Sequence, residues 1–415
     1  MKKRIALVIA LLMIVATLPT FAASEAFNWR AYEGTTLQVM FNQHNYQKAI
    51  TDYGKIADFE ALTGIKVEYS VTPEENYFDK LNIALSSQSG EPDIFMSGAY
   101  QVWEYASAGF MEPLEGYIND PAKTAPDYNF EDFYPSIAGT LRWDLVAGHP
   151  VGSGSQWSIP MGYELNNIAY NHKYFEEKGI ELPKTTTELL DLSKKLNEWS
   201  GTGSYGMAVR GTRNWATIHP GYMTLFATWG AKDFEVVDNK LVCRLDSQEA
   251  IDMTDYWVKL VVEGSSPQWA TFTWYEAGAH LGAGVAAMLY DATCNGYFQN
   301  YPEGASAQSG NLGWYAGVVP DGSGLTEGDI KSNVWVWSMG MNASSKNKDA
   351  AWYFLQYFTS PEFMLFSGTE AACADSPRAS VAESDAYKSI VGKSIGYLEA
   401  LDVLLPNATI QFTPQ

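Results

Sequence analysis

Apolar and polar positions along this chain alternate between two rhythms. Leu37-Gln38-Val39-Met40-Phe41 has the look of a strand that opens into a polar loop at Asn42, Gln43 and His44. Tyr46 to Leu62 predicts a helix stopped by Gly64, and Ile65 to Val71 the next strand. A helix from about Glu75 to Ser87 follows, then Pro92 and the strand Asp93–Met96, ending at Ser97-Gly98. A second stretch of the same kind begins at Ile159-Pro160. It carries strands at Tyr163–Asn171, Tyr205–Arg210, Val285–Tyr290 and Trp335–Met341. Its helices fall at Lys173–Lys178, at Thr187–Trp199 with Thr186 or Thr187 as the cap, and at Asp349–Thr359, closed by Pro361. Strands alternating with helices predict an α/β fold, a parallel sheet with helices on both faces. Ligands of such sheets sit outside the carboxyl ends of the strands, which makes His44 and the loop from Ser97 to Gln101 candidate site residues.

The first residues follow neither rhythm. Lys2, Lys3 and Arg4 precede an apolar run from Ile5 to Leu18, then Pro19 and the small residues Ala22-Ala23-Ser24. That is the layout of a secretory signal peptide over residues 1–22, and the run is shorter than a membrane span requires. No cysteine follows before Cys243, so a lipoprotein anchor is not expected, and the mature chain is expected free in the periplasm.

The 415 residues, less that leader, exceed what one core usually supports, so two domains or lobes are expected. Formal charge is −21, and removing the three basic residues of the leader leaves 24 basic against 48 acidic, or −24. Such a chain repels phosphate backbones and anionic lipid, and nucleic acid is excluded as a partner. Cys243, Cys294 and Cys373 are too few for a disulfide framework. One pair could oxidise outside the cytoplasm, but buried free thiols are the simpler reading. The excess is aromatic: 14 Trp, 25 Tyr and 19 Phe. Most belong to the core, while Trp157, Trp215, Trp335 and Trp337 lie in polar, Gly-flanked stretches where a flat ring could meet the C–H face of a sugar.

Motifs for catalysis are weak. Gly201-Thr-Gly203-Ser-Tyr-Gly206 follows a helix and precedes a strand, the reverse of what a dinucleotide phosphate needs. The five histidines show no zinc spacing, and no nucleophile elbow occurs. Adjacent acids such as Glu74-Glu75 and Glu176-Glu177 read as solvated helix positions, although a spatial pair of carboxylates for glycoside hydrolysis stays open. No catalytic residue, metal or cofactor is assigned.

The segment from Ile159-Pro160 through Tyr163-Glu164, Ile168, Tyr170-Asn171-His172-Lys173, Phe175, Gly179-Ile180 and Pro183-Lys184-Thr185 closely resembles the family 1 extracellular solute-binding proteins, the maltose-binding-protein-like receptors of ABC sugar importers. Pro92-Asp93-Ile94, Ala286–Asp291 and Lys346–Phe354 match in order and spacing, and the resemblance covers nearly the whole mature chain. Met288–Thr293 looks most like the binders of sugar alcohols and small saccharides. The resemblance implies two α/β lobes joined by a hinge that the chain crosses more than once: an N-lobe of about 23–160 plus 338–383 and a C-lobe of about 161–337 plus 384–415. Chains of this kind usually continue past Pro406-Asn407 with more helical sequence than the stretch to Gln415 holds, a departure from the family pattern.

Carried over residue by residue, the resemblance makes Glu164 and Asp291 acceptors for sugar hydroxyls and Trp215 an aromatic contact. Trp335 and Trp337, on one face of the last C-lobe strand, are either ligand platforms or hinge packing. Tyr170 reads as core. Arg213 is either a contact to a ligand oxygen or a structural ion-pair partner, and Arg378 is a lesser candidate. The function implied is a non-enzymatic, monomeric periplasmic receptor. It would bind a small carbohydrate or polyol by lobe closure and deliver it to an ABC transporter permease. Two alternatives stay open: a secreted glycan hydrolase or lyase, and the same transport role with a sugar acid held by Arg210, Arg213 and Arg378.

Overall fold

The computed structural model describes residues 26–213, 219–238 and 240–410. The leader, Trp215 and the last five residues lie outside them. Within the described residues no helix is long and apolar enough to cross a membrane.

Eight strands make one mixed sheet: β1 (Thr36–Asn42), β2 (Lys66–Thr72), β3 (Ile94–Gly98), β4 (Ser158–Asn171), β5 (Tyr205–Ala208), β6 (Ala286–Ala292), β7 (Leu312–Tyr315) and β8 (Val334–Met341). Their order is β2-β1-β3-β8-β4-β6-β5, with β7 also on β4. The expected parallel pairing holds within each half, in β1 with β2, β1 with β3, and β6 with β5. It fails at the middle, where β8 runs antiparallel to both β3 and β4, and β4 antiparallel to β6 and β7. The reason is connectivity: β4 carries the chain out of the first half and β8 brings it back in the opposite direction. The fold is therefore α/β with two lobes, and β4 and β8 run through both.

Burial follows position in the sheet. Every residue of β3, β4, β6 and β8 is buried, as expected for strands covered on both faces, whereas the edge strand β2 is largely exposed and charged. One apolar core fills the first lobe and continues through the hinge, and a second gathers around Ile168, Met207, Met253 and Tyr290. Trp157 belongs to the first, its indole N–H on the Trp143 carbonyl at 2.9 Å.

Three local expectations shift. The helix expected over Tyr46–Leu62 is two, Asn45–Thr51 and Lys55–Thr63, separated by a turn in which Gly54 takes φ +74°. The next N-cap is Thr185, whose hydroxyl accepts from the Glu188 amide while Glu188 reaches back in a capping box. Thr186 and Thr187 instead donate to Asp321. All three cysteines are free, but Cys243 is exposed, because it sits on the two-stranded ribbon of Phe234–Val237 and Lys240–Cys243.

The β4–β8 pair slips register between Trp337 and Ser338, opposite the stretch from Gly162 to Pro160. Pro160 has no N–H to give to the ladder, and a bulge beside it absorbs the defect. Below the slip, the Ser158 and Ser338 hydroxyls bond at 3.0 Å. A further connection, Ala371–Ser376, also meets the second lobe: Asp375 accepts from Thr293 Oγ1 and Tyr397 OH, each at 2.6 Å.

Candidate functional site

The carboxyl ends of both half-sheets face each other across the hinge, and a cavity of about 460 Å³, counted with its mouth, lies between them. His44 follows β1 and Glu74 follows β2. Arg210 follows β5, and Ala292, Cys294 and Asn295 follow or close β6. The hinge strands contribute Glu164, Asn166, Trp335 and Trp337, and Trp274 completes the wall with Pro220.

Glu164 and Trp335 are direct cross-strand partners, and Trp337 lies two residues on, so all three point into the same space. Trp337 also pairs with Gly98 of β3. Gly98 is required there: a Cβ at that position would fall 1.9 Å from the Trp335 ring. The Trp335 and Trp337 rings stand edge to face at 5.3 Å, Phe78 lies parallel to Trp337, and Tyr100 packs edge-on against Trp335. These contacts fix the indoles before any ligand arrives.

His44 is the N-cap of Asn45–Thr51. Its Nδ1 accepts from the Tyr46 amide at 3.3 Å, while Gln47 accepts from the His44 amide. An accepting Nδ1 puts the proton of the neutral ring on Nε2, which points at Glu164 Oε1 at 3.3 Å. Trp337 Nε1 donates to the same oxygen at 2.8 Å. Burial alone would raise the Glu164 carboxyl, but His44, the nearby Arg210 and the Trp337 N–H together hold it below the usual range. Both donors converge on Oε1, so Oε2 keeps its capacity to accept a hydroxyl proton.

Asp291 has a different task. Its two oxygens clamp Arg210, with Nε at 2.9 Å and Nη2 at 2.6 Å, and Oδ1 also accepts from the Ala292 amide. The Asp291 side chain is fully buried behind Arg210, so Arg210 and not Asp291 meets the cavity. Burial works against the guanidinium charge, but Asp291, then Glu164 and Glu74, more than offset it. Glu74, half-buried at the head of Glu74–Ser86, is pushed up to about 7 by burial.

Four further candidates do not reach the wall. Ser97 is buried in β3, paired with Ser338 beside the register slip. Gln101 is buried in the helix Ala99–Ser107. Arg213 is exposed, next to the segment containing Trp215 that the structure does not describe. Arg378 lies under the first lobe, fully buried, donating to the carbonyls of Thr359 and Asn129 and to Asp132 and packed on the Phe133 and Tyr128 rings. It is a structural knot. Glu74, Asn166, Cys294, Asn295 and Trp274 are not among the contacts the sequence points to, Arg210 is expected only for a sugar acid, and Glu74 lines the cavity instead of standing as a solvated helix position. Glu74, Arg210 and Cys294 obey the strand-end rule that picked out His44; applied to β2, β5 and β6 as well, it points to all three.

His44, Glu164 and Cys294 offer nitrogen, oxygen and sulfur atoms within 4.8 Å of one another. They fit a metal poorly. The only free nitrogen of His44 carries the ring proton, and burial drives the Cys294 thiol far above its ordinary pKa, away from the thiolate a soft cation needs.

Comparison with known proteins places the chain in a family. The chain is 39% identical over 391 residues to the erythritol/L-threitol-binding protein of Mycolicibacterium smegmatis, covering 94% of this chain and 80% of that one. It is 25% identical over 358 residues to the mannitol-binding protein of Pseudomonas aeruginosa, covering 84% and 75%. The fold matches that of an ABC transporter solute-binding protein from Agrobacterium radiobacter K84 solved with ribitol, with a TM-score of 0.74 at 20% identity over 89% of this chain and 86% of that one. The model for bacterial extracellular solute-binding proteins matches residues 42–364, and the chain belongs to that family.

Proposed function

We propose that this protein is a non-catalytic periplasmic receptor for a short linear polyol, which it captures between its lobes and delivers to the permease of an ABC importer. The observation that carries this reading is the ordered Glu164–His44–Trp337 group on the hinge strands. A carboxylate with one oxygen fixed by two donors and the other free to accept suits a polyol hydroxyl, and the indoles beside it suit the carbon chain. The tight space among these side chains suits a single small solute better than a glycan. The names of the relatives, erythritol or L-threitol and mannitol, support a polyol over a sugar acid. Glu164, His44, Trp335, Trp337, Arg210, Glu74 and Asn166 are the proposed contacts.

Contacts come from both half-sheets and from strands that join them, so ligand stabilises the closed arrangement over the open one. The lobes divide at β4 and β8 in this reading, near residues 160 and 338. The packing of Asp385–Val391 on Pro361–Glu370 supports placing the last crossing after residue 391. A monomer suffices for this mechanism.

A thermal-shift screen tests the assignment, because a ligand that binds only the native state raises the melting temperature by mass action. Erythritol, L-threitol, ribitol and mannitol should each be compared with maltose and a uronate. The largest shift is expected from a four-carbon polyol. A shift from the disaccharide or the uronate alone would overturn the assignment.

A further inference from the structure

Among the described residues the charges around the cavity do not cancel. Arg210 is the one guanidinium in the wall among the described residues, and Asp291 clamps it through both oxygens. Glu164 and Glu74 face the same space. The donors on Glu164, the Trp337 indole N–H and His44 Nε2, both fall on Oε1. The two other arginines that could have favoured an acid are elsewhere, Arg213 exposed and Arg378 in its knot beneath the first lobe. The remaining wall includes the rings of Trp274, Trp335 and Trp337, whose faces attract cations and not anions.

We propose that the site reads the charge at the end of its ligand, accepting an amine-bearing polyol such as an amino alcohol or amino sugar of matching chain length and rejecting the corresponding acid. This rests on reading the cavity as a polyol site. An ammonium in place of a terminal hydroxyl meets a carboxylate and aromatic rings, whereas a carboxylate there meets Glu74 or Glu164 across a cavity where the one guanidinium among the described residues is already clamped.

Three probes of equal length decide it by titration calorimetry on the full mature chain: erythritol, its one-end acid and its 1-amino-1-deoxy analogue. The acid is expected to bind at least about tenfold more weakly than erythritol, and the amine at least as tightly as erythritol. In Glu74→Gln the ratio of amine to acid affinity should shrink several-fold. An acid that binds as well as erythritol, or an amine rejected along with the acid, overturns the inference and leaves the polyol reading intact. Absence of saturable erythritol binding would bring down that reading and this inference with it.

Discussion

Glu164 and Asp291 are both buried carboxylates close to the cleft, and the protein uses them in opposite ways. Glu164 stands on a hinge strand and is held by two donors on a single oxygen. Asp291 ends β6 in the second lobe and spends both oxygens on Arg210. A carboxylate held through one oxygen keeps its charge and its other oxygen for a ligand. One committed to a bidentate ion pair does not, and what it presents to the cleft is the guanidinium it orients. Nearness to the cleft alone therefore does not make a ligand contact; the partner set does.

The largest expected effect separates the two. Asp291→Ala leaves Arg210 buried without its main partner and should lower the stability of the ligand-free protein by about 3–5 kcal/mol, read as a steep fall in melting temperature. Glu164→Gln, which can still accept from Trp337, should lower it far less. Equal losses would erase the distinction.

Trp337→Phe sharpens the comparison at a smaller scale, because it keeps a ring and removes the donor to Glu164 Oε1. Hydrogen bonds to charged groups contribute about 1.5–3 kcal/mol, and His44 still donates, so a polyol should bind about tenfold more weakly. Unchanged affinity by calorimetry would show that this bond does not order the site.

A third buried carboxylate gives the mildest test. Asp375 is pushed up to about 7 by burial, with hydrogen bonds from Thr293 and Tyr397 acting the other way. The native state therefore holds a proton that the unfolded chain releases above its ordinary 3.8, so this group lowers stability as pH climbs from about 4 to about 7. Asp375→Asn mimics the protonated form. Its melting temperature minus that of the parent should grow between about pH 5 and about pH 8. A difference independent of pH would mean that Asp375 is ionised throughout that range.

Alternating periodicity made most elements legible, since β1, β3, the helix Glu74–Ser86 and the hinge strand β8 fall within a residue or two of their expected bounds. Pairing direction was not, because nothing local in β8 says that it returns antiparallel between β3 and β4. The site was legible where a strand end or a motif pointed at it, as at His44 and Glu164. Arg378 misled because a lone arginine in a loop looks the same whether it faces a ligand or three backbone and carboxylate oxygens beneath a lobe. Trp274 gave no signal: it reaches the cavity from the start of its own helix, placed only by the packing of that helix on its neighbours.

The central claim is that Glu164 holds a polyol hydroxyl in the cleft between the lobes. Titration of erythritol into the mature protein and into Glu164→Gln, by calorimetry under identical conditions, tests it most directly. The parent should show saturable binding at one site, and the variant should lose about tenfold or more in affinity while keeping its ligand-free melting temperature within a few degrees. Equal affinity in the two proteins would contradict the claim.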